Sequence, residues 1–579
     1  MMSTRRFINT PDKLYHRCYV LARERRSRYY RLMKIQIVSC CLEEGNLSFP
    51  LGALTIQTAI QHHIQLKESP CSLGSYSLDD DPIASALESA RSGFTHVGCS
   101  IYLWNRSWFD QFAQTLKRAR PEAILFAGGT EVTANPLSFD FSLYSFLTLG
   151  EGEETTTLAL SQLLAGKKPE GQGILTQGGE VTYAYPLDLS TLDSVLLSGS
   201  ANSFAKPGSS LLWEMTRGCP FSCAFCFESK GIRSVRQFKY ERVSEELDYL
   251  LENQVEEVFI LDPTFNMDKK RTVQMLSLLA EKAQAIHFIF ELRAELLDKQ
   301  LADLFSRLKC SLQIGLQSSD VQVLKAINRR FDPVLFKQKI DLLNQRGIVF
   351  GLDLIIGLPH DSYTLFCKSL DYAVGCKPSN IDIFALSLLP GTQLADDAQE
   401  LGTLHQAEAP YTVISTPTYT SEEIAKALRL KDACDLFYTK GEASMWLHTL
   451  CEAAQCTPSA LFTHVASYTD FIKEKQGSGQ LGMEIYDLQE QFARSLLKKL
   501  KREKYLPPLL SFMELHQGVA FLRETGENPV ITIDYELDEL ALLDTMHIEK
   551  FLEKHPRRSP QTLAIVENED GSLSFVEQK

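Results

Sequence analysis

Short runs of apolar and β-branched residues alternate with stretches of helical periodicity twice along this chain, and that alternation restricts its fold more than any other feature. In the first series, strands at 34–39, 95–102, 123–127 and 146–149 are interleaved with helices over about 51–64, 107–120 and 153–165. The pattern predicts a parallel, doubly wound, Rossmann-like sheet with ligands beyond the carboxyl ends of its strands. Those ends are the loops 41–51, 102–106, 128–136 and 150–153. The second series has six strands, at 211–216, 257–262, 287–293, 311–317, 350–357 and 380–389. It predicts a partial or complete TIM-like βα barrel, with chemistry at the carboxyl ends. Helical periodicity follows to about Arg523, then a strand in ITIDYEL and a hairpin signal around Asp570 and Gly571.

The expected organisation is an α/β protein in five segments: a basic arm over 1–33, a Rossmann-like domain over 34–165, a Gly-, Ser- and Pro-rich linker over 166–206, a barrel over 207–402, and a mainly helical domain over 403–579. Met33, directly before the first strand, is an alternative start to Met1. The 579 residues carry a net charge of −14 with both signs mixed, so no broad electropositive surface for nucleic acid is expected. The apolar stretch 349–359 is broken by Asp353, too soon for a membrane span, and the charged start MMSTRRFINTPDK lacks the apolar run of a secretory signal. Fourteen cysteines in so long a chain lack the density of a disulfide scaffold, and a reducing, cytoplasmic compartment is expected.

Directly after the first barrel strand, the segment WEMTRGCPFSCAFC places Cys219, Cys223 and Cys226 within eight residues. Thiolates are the usual ligands of iron–sulfur clusters, and three of them leave one iron of a four-iron cubane without a protein ligand. An open corner implies catalysis, as an open position does at zinc. A zinc knot is the competing reading, but it lacks a local fourth ligand, since the next cysteine is Cys310.

This spacing, with aromatic Phe225 before the last cysteine, resembles the radical S-adenosylmethionine (SAM) superfamily. The resemblance implies a 4Fe-4S cluster on the three cysteines, with SAM chelating the open iron and being cleaved reductively to a 5′-deoxyadenosyl radical. It also implies an external one-electron donor such as flavodoxin or ferredoxin. Glu291 in FELRAE resembles the carboxylate that binds the SAM ribose. Gln317 in IGLQS, Arg329 in AINRRF and Asp353 in LDLIIGLP resemble SAM contacts of the oxygen-independent coproporphyrinogen oxidase branch. Asp262 in LDPTF falls where the family holds the methionyl amino group. Structural alternatives are a buried Glu291–Arg293 ion pair, a strand cap at Gln317 and a helix cap at Asp262.

Residues 34–165 ahead of such a barrel resemble the cobalamin-binding branch of the superfamily. The segments that carry this are Ile101, Tyr102, Leu103, Trp104 and Asn105; Gly128, Gly129, Thr130, Glu131 and Val132; and Gly150, Glu151, Gly152 and Glu153. Their glycines are expected to let the backbone approach a flat macrocycle and its phosphate-bearing tail. The D-x-H-x-x-G signature of cobalt-ligating histidines is absent, and His62, His63 and His96 fall on a predicted helix or at a strand start, so no histidine of this loop is expected on cobalt. A Rossmann-like domain without a ligand is the alternative. Segments 389–392 and 409–416 resemble the junction to an uncharacterised carboxyl-terminal domain of one subgroup, which is expected to cover the barrel mouth; Cys434, Cys451 and Cys456 within it read as buried free thiols.

The leading expectation is a cobalamin-dependent radical SAM methyltransferase acting on an unactivated carbon or phosphorus centre of a small molecule. Within enzymes the alternative is a cobalamin-dependent oxidative cyclase or rearrangement, resembling the anaerobic porphyrin-ring cyclase, without methyl transfer. A methylthiotransferase on RNA would need a second cysteine set, which Cys40, Cys41, Cys71 and Cys99 do not form. A non-catalytic iron–sulfur sensor or scaffold would need neither the SAM-like residues nor an open iron.

Overall fold

The computed structural model describes residues 33–42, 48–229, 234–476, 483–568 and 571–578. The basic arm, apart from Met33, and Asp570 of the hairpin signal lie outside the described residues. The chain divides into two compact units, residues 1–212 with 238–255, and residues 213–237 with 256–579. No helix among the described residues is long and apolar enough to cross a membrane.

The first unit is built on six strands: β1 (Ile35–Cys41), β2 (Cys71–Ser77), β3 (His96–Ser100), β4 (Ile124–Gly128), β5 (Phe146–Thr148) and β6 (Ile174–Leu175). Their order is β2-β1-β3-β4-β5-β6, parallel throughout except for the antiparallel β6. This is a doubly wound sheet whose strand order reverses between β1 and β3. Alternate residues of β1 serve two cores: Ile35 and Ile37 pack with Phe126, Phe146 and Leu160, whereas Val38 and Cys40 pack with Phe109, Phe112 and Leu125. Helices therefore cover both faces, as a parallel sheet requires. Gly98 in β3 makes room for the Phe126–Phe146 stack, because a Cβ there would stand 2.5 Å from the Phe126 ring.

The helix Pro82–Arg91 and the strands β2 and β6 of this unit were absent from the sequence expectation. The segment CSLGSYS of β2 is an edge strand with a mostly half-buried, polar pattern, so it lacks the apolar run that marks its neighbours. The expected linker contributes β6, which pairs only two residues with β5 and ends the sheet.

The second unit carries most of the second sheet. Strands β7 (Ser210–Trp213), β8 (Glu257–Ile260), β9 (His287–Leu292), β10 (Cys310–Gln317), β11 (Val349–Ile356) and β12 (Asn380–Ala385) lie side by side in chain order, with parallel pairing from β8 to β12. Consecutive strands joined by helices make a partial barrel, open between its first and last strands. Along β9 and β10, Phe288, Phe290, Leu312 and Ile314 are buried, while His287, Glu291, Ser311, Gln313 and Gly315 alternate with them on the inner face.

The carboxyl-terminal region adds five principal helices, Ser421–Cys434, Leu447–Ala454, Pro458–Gln476, Ile485–Lys499 and Leu506–Thr525, and an antiparallel sheet β13 (Val530–Ile533), β14 (Gln561–Glu567) and β15 (Leu573–Glu577). Cys434 and Cys451 are buried and Cys456 is half-buried. The helical region meets the exposed edge of β12, where the Ile381 amide donates to the Thr439 hydroxyl at 3.2 Å, and Ser459 bonds Asp371 on helix Tyr363–Gly375 at 2.7 Å. An unpaired strand edge is thereby covered. Beyond the carboxyl end of β12, Val413 donates to the Leu386 carbonyl and Leu388 to that of Tyr411, so the segment expected to be a junction forms part of the rim.

Gly129 sits at φ +115°, and a Cβ would stand 2.3 Å from the Ile101 carbonyl oxygen. Left-handed strain and the clash together make Gly129→Ala cost on the order of 2 kcal/mol or more, a fall of roughly 5 °C or more in the melting temperature of protein stripped of cofactors. Differential scanning calorimetry checks it.

Candidate functional site

The three cysteines lie on the loop that follows β7, and the chain entering that loop is braced by Asp262. Its Oδ1 accepts the main-chain amides of Met215 and Thr216, both at 2.9 Å, and the residue is 3% exposed. Burial pushes this carboxyl up to about 6 against the pull of those two amides. Asp262 thus caps no helix; it fixes the turn that aims the cysteine loop. Gly218 supplies the left-handed turn, at φ +93°.

The loop is pinned along its length. The Ala224 amide donates to the Ile327 carbonyl at 3.1 Å, Leu394 donates back to the Ala224 carbonyl at 3.0 Å, and Asn328 Nδ2 reaches the Ser222 carbonyl at 3.0 Å. The Arg293 guanidinium lies 3.7 Å over the Phe221 ring. Cys219, Cys223 and Cys226 are all partly accessible and none is in a disulfide. Burial, reinforced by the Cys223 and Cys219 charges, pushes the Cys226 thiol up to about 11, so a cationic partner is needed to hold this group as a thiolate. Phe225, between Ala224 and Cys226, is half-buried. No three or more His, Cys, Asp or Glu side chains among the described residues converge on one metal ion. Three soft donors spaced along one loop suit a cluster several atoms across, and Cys310 stands at the opposite, amino end of β10.

Beside the loop, the inner wall brings together four of the predicted contacts. Glu291 ends the inward-facing row of β9; its surface is accessible, yet burial pushes its carboxyl up to about 7, with Asp353 and Glu228 adding to the effect. A group that is open to water and nonetheless hemmed in lines a recess. Asp353 on β11, opposite Gly315 of β10, is pushed up to about 6 by burial, eased by a hydrogen bond from Gln313 Nε2. Arg329 donates to the Gly315 carbonyl at 2.8 Å; burial first and Arg293 second pull its guanidinium down, opposed by Cys223, Glu295 and Asp353. Arg329 therefore lies between the cysteine loop and the carboxylate wall.

Gln317 completes the group. The register slips between Gly315 and Gln317, and Gln317 takes φ +67°. Its side chain folds back over Gly315, where a Cβ would meet the Gln317 Nε2 at 2.4 Å and the Arg329 Nη1 at 3.1 Å. Gln317 is 9% exposed, and its Oε1 is buried without a hydrogen-bond partner. An orphaned acceptor in a recess of this kind fits a ligand that donates hydrogen bonds, as the hydroxyls and ammonium of SAM do. The alternative Glu291–Arg293 ion pair does not form, because Arg293 pairs with Glu295 at 2.9 Å. Sequence reasoning missed Gln313, whose Nε2 also reaches Asp382 Oδ2 at 2.8 Å, and Asn380, which donates to the same oxygen at 2.9 Å. The alternation of Ser311, Gln313 and Gln317 with apolar Leu312, Ile314 and Leu316 was the available signal.

In the first unit the predicted residues cluster at the carboxyl ends of β3, β4 and β5. Tyr102 and Trp104 stack with ring centroids 4.6 Å apart, and Trp104 remains 47% exposed. Asn105 is fully buried, accepting from the Tyr102 amide at 2.8 Å and donating to the Cys40 carbonyl at 2.9 Å, so it ties the ends of β1 and β3 together at the switch point. The glycines are crowded by the unit itself: a Cβ at Gly128 would meet Thr148 Oγ1 at 2.5 Å, at Gly129 the Ile101 carbonyl, at Gly150 Ala184, and at Gly152 Ile56. Internal packing therefore accounts for them before any macrocycle is considered. Thr130 is exposed, whereas Glu131 is 3% exposed with Arg106 Nη1 at 3.6 Å. Glu151 accepts the Leu187 amide at 2.9 Å, and Glu153 is buried. His96 is buried at the amino end of β3, where burial pulls its imidazole down to about 4, and His62 pairs with Asp193 at 3.0 Å. Both stand away from the strands' carboxyl ends.

Residues 213–373 match the family model of the radical SAM superfamily. The chain is 25% identical over 332 residues to the cobalamin-dependent radical SAM methyltransferase TokK of Streptomyces tokunonensis, covering 52% of this chain and 47% of that protein. It thus spans about half the length of that relative. Among solved structures, the radical SAM methyltransferase TsrM of Kitasatospora setae, with cobalamin and a 4Fe-4S cluster bound, superimposes with a TM-score of 0.52 at 15% identity, over 65% of this chain and 76% of that one. The cobalamin-dependent SAM radical enzyme OxsB, with aqua-cobalamin bound, superimposes with a TM-score of 0.55 at 14% identity, over 92% and 85%. At such identities these two likenesses speak to the fold. The three-thiol loop after β7, the wall of Glu291, Gln317, Arg329 and Asp353, and the match over 213–373 agree: residues 213–373 form a domain of the radical SAM superfamily.

Proposed function

We propose that this protein is a cobalamin-dependent radical SAM methyltransferase acting on an unactivated carbon or phosphorus centre of a small molecule. The observation that carries the SAM part is the orphaned Gln317 Oε1 beside Arg329, Glu291 and Asp353, next to three thiols on one braced loop. Cys219, Cys223 and Cys226 would hold a 4Fe-4S cluster, and Glu291, Gln317, Arg329 and Asp353 would hold SAM, with Phe225 beside it. When bound, these groups supply hydrogen abstraction, and a corrinoid supplies a methyl carrier.

The chain's own part is positioning. Asp262 fixes the entry of the cysteine loop, and its own side chain is committed to main-chain amides, which argues for a bracing role over direct SAM contact. Arg329 balances charge between the thiols and the carboxylates. Cobalamin would lie over the carboxyl ends of β1, β3 and β4, where the Tyr102–Trp104 stack and the exposed Leu42 and Leu137 offer an apolar surface at the switch point. Trp104 and Thr130 are the predicted residues best placed to meet it. The likeness to TokK supports methyl transfer; an oxidative cyclisation or rearrangement is the second reading, supported by 26% identity over 192 residues to the anaerobic magnesium-protoporphyrin IX monomethyl ester cyclase of Rubrivivax gelatinosus. An external one-electron donor, a cytoplasmic setting and the five-segment division complete the proposal.

Anaerobic reconstitution, followed by iron, sulfide and product analysis, tests this reading. Wild-type protein is expected to hold four irons and to yield S-adenosylhomocysteine alongside 5′-deoxyadenosine, while alanine at all three cysteines abolishes both cluster and products. Formation of 5′-deoxyadenosine alone would select the second reading, and retention of zinc by the wild type would overturn the cluster.

The carboxyl wall gives a second expectation. Glu291 at about 7 and Asp353 at about 6 bind protons in the folded state that the unfolded chain releases near pH 4. Folded protein without ligand therefore loses stability as pH rises from about 4 to about 7. Glu291→Gln removes one such charge: its melting temperature at pH 8 should exceed that of the wild type, with a shallower slope across that window, while SAM affinity falls by roughly tenfold or more. A lower melting temperature for the variant at pH 8 would contradict this account.

A further inference from the structure

At the amino ends of β9, β10 and β11, opposite the cysteine loop, lies a cavity of about 360 Å³ lined by His287, Lys309, Cys310, Ser311, Arg346 and Val349 among others. From its wall, at Ser311 and His287, a chain of hydrogen bonds runs back across three neighbouring strands. Glu257 Oε2 on β8 lies 2.9 Å from His287 Nδ1 on β9, and His287 Nε2 lies 2.9 Å from the hydroxyl of Ser311 on β10. The parallel pairing that sets Glu257 opposite His287 holds the first pair in register.

We propose that Ser311, His287 and Glu257 form a second site, in which a nucleophile, a base and an orienting carboxylate hydrolyse a small carboxylic ester or thioester. The geometry carries this. A carboxylate on Nδ1 fixes the tautomer that leaves Nε2 free to accept the serine proton, the arrangement that activates a hydroxyl wherever it recurs, irrespective of fold. Here the His287 side chain keeps 25% of its surface and faces a cavity within the range that holds small molecules. The neighbouring Cys310 does not compete, since burial pushes its thiol up to about 12. Arg346 is engaged by Asp303, whereas Lys309 is exposed and in no ion pair among the described residues, which favours an acyl group bearing a negative charge. His287 and Glu291 stand four residues apart on β9, so roughly 13 Å of strand separates this site from the SAM wall.

The reaction needs no co-reactant besides water. Ser311 Oγ bonds to the acyl carbon as the bond to the alkoxide or thiolate breaks, and the hydroxyl proton passes through His287 Nε2 to that leaving group. Water then attacks the acyl–Oγ ester, giving one proton through His287 to Ser311 Oγ and releasing the carboxylic acid.

Holoenzyme treated with diisopropyl fluorophosphate and, separately, with p-nitrophenyl acetate tests the site by intact-protein and peptide mass spectrometry. A single adduct on Ser311 is expected from each. Labelling should slow by roughly 10²-fold or more in His287→Gln and measurably in Glu257→Gln, with no adduct in Ser311→Ala and with reductive SAM cleavage unchanged in that variant. Absence of an adduct on Ser311 in the wild type, or equal labelling rates in wild type and His287→Gln, would overturn the proposal. Should Ser311→Ala fail to fold, mapping the wild-type adduct and comparing it with the glutamine variants still decide.

Discussion

Three thiols on a loop converge on one cluster most readily if the loop is already held in shape, and a loop has little packing of its own to ensure that. Here the constraint is supplied by a carboxylate withdrawn from water, Asp262, whose oxygen takes two consecutive main-chain amides at the point where the chain leaves β7. Leaving such a group unpaired at this depth would cost several kcal/mol, so the contact is strongly directional and hard to replace. From it follow the turn at Gly218, the reach of the loop toward Ile327 and Leu394, and the placement of the thiols beside Arg329.

The rest of the recess depends on the same economy of polar groups. Gln313 is shared between Asp353 and Asp382, Arg329 is anchored by a main-chain carbonyl, and Gln317 occupies a left-handed position that curls its amide inward. Gly315 is required because two side chains use the space that a Cβ would fill. The wall is thus assembled with its carboxyls raised and one acceptor unmatched, a state that a cationic ligand rich in hydrogen-bond donors relieves.

Much of this was legible beforehand. The βα alternation located β1, β3, β4 and β5 and the six barrel strands, because buried parallel strands must be apolar runs. The cysteine motif and the wall residues were legible because their spacing and strand-end positions resembled a known family. The edge strand β2 was not, since an edge needs less apolar burial, and β6 was hidden in a stretch that composition marks as linker. The glycines at 128, 129, 150 and 152 were expected to make way for a cofactor; their neighbours turn out to be the protein's own atoms, a distinction no sequence pattern carries. Likewise the carboxyl-terminal helices were visible from periodicity, but that they would cover the edge of β12 was not.

By itself the sequence determined the buried apolar strands and most of the helices between them, their alternation in two parallel sheets, and the three cysteines that follow the first barrel strand, because these properties depend on local periodicity and spacing. The tertiary structure decided what those residues face. Asp262 became a brace, Arg293 chose Glu295 over Glu291, Gln317 was left with an unmatched oxygen, and Glu257, His287 and Ser311 met from three strands that are far apart in sequence. Each of these outcomes depends on strand register and on which polar partner lies within about 3 Å, quantities fixed only when the strands pair.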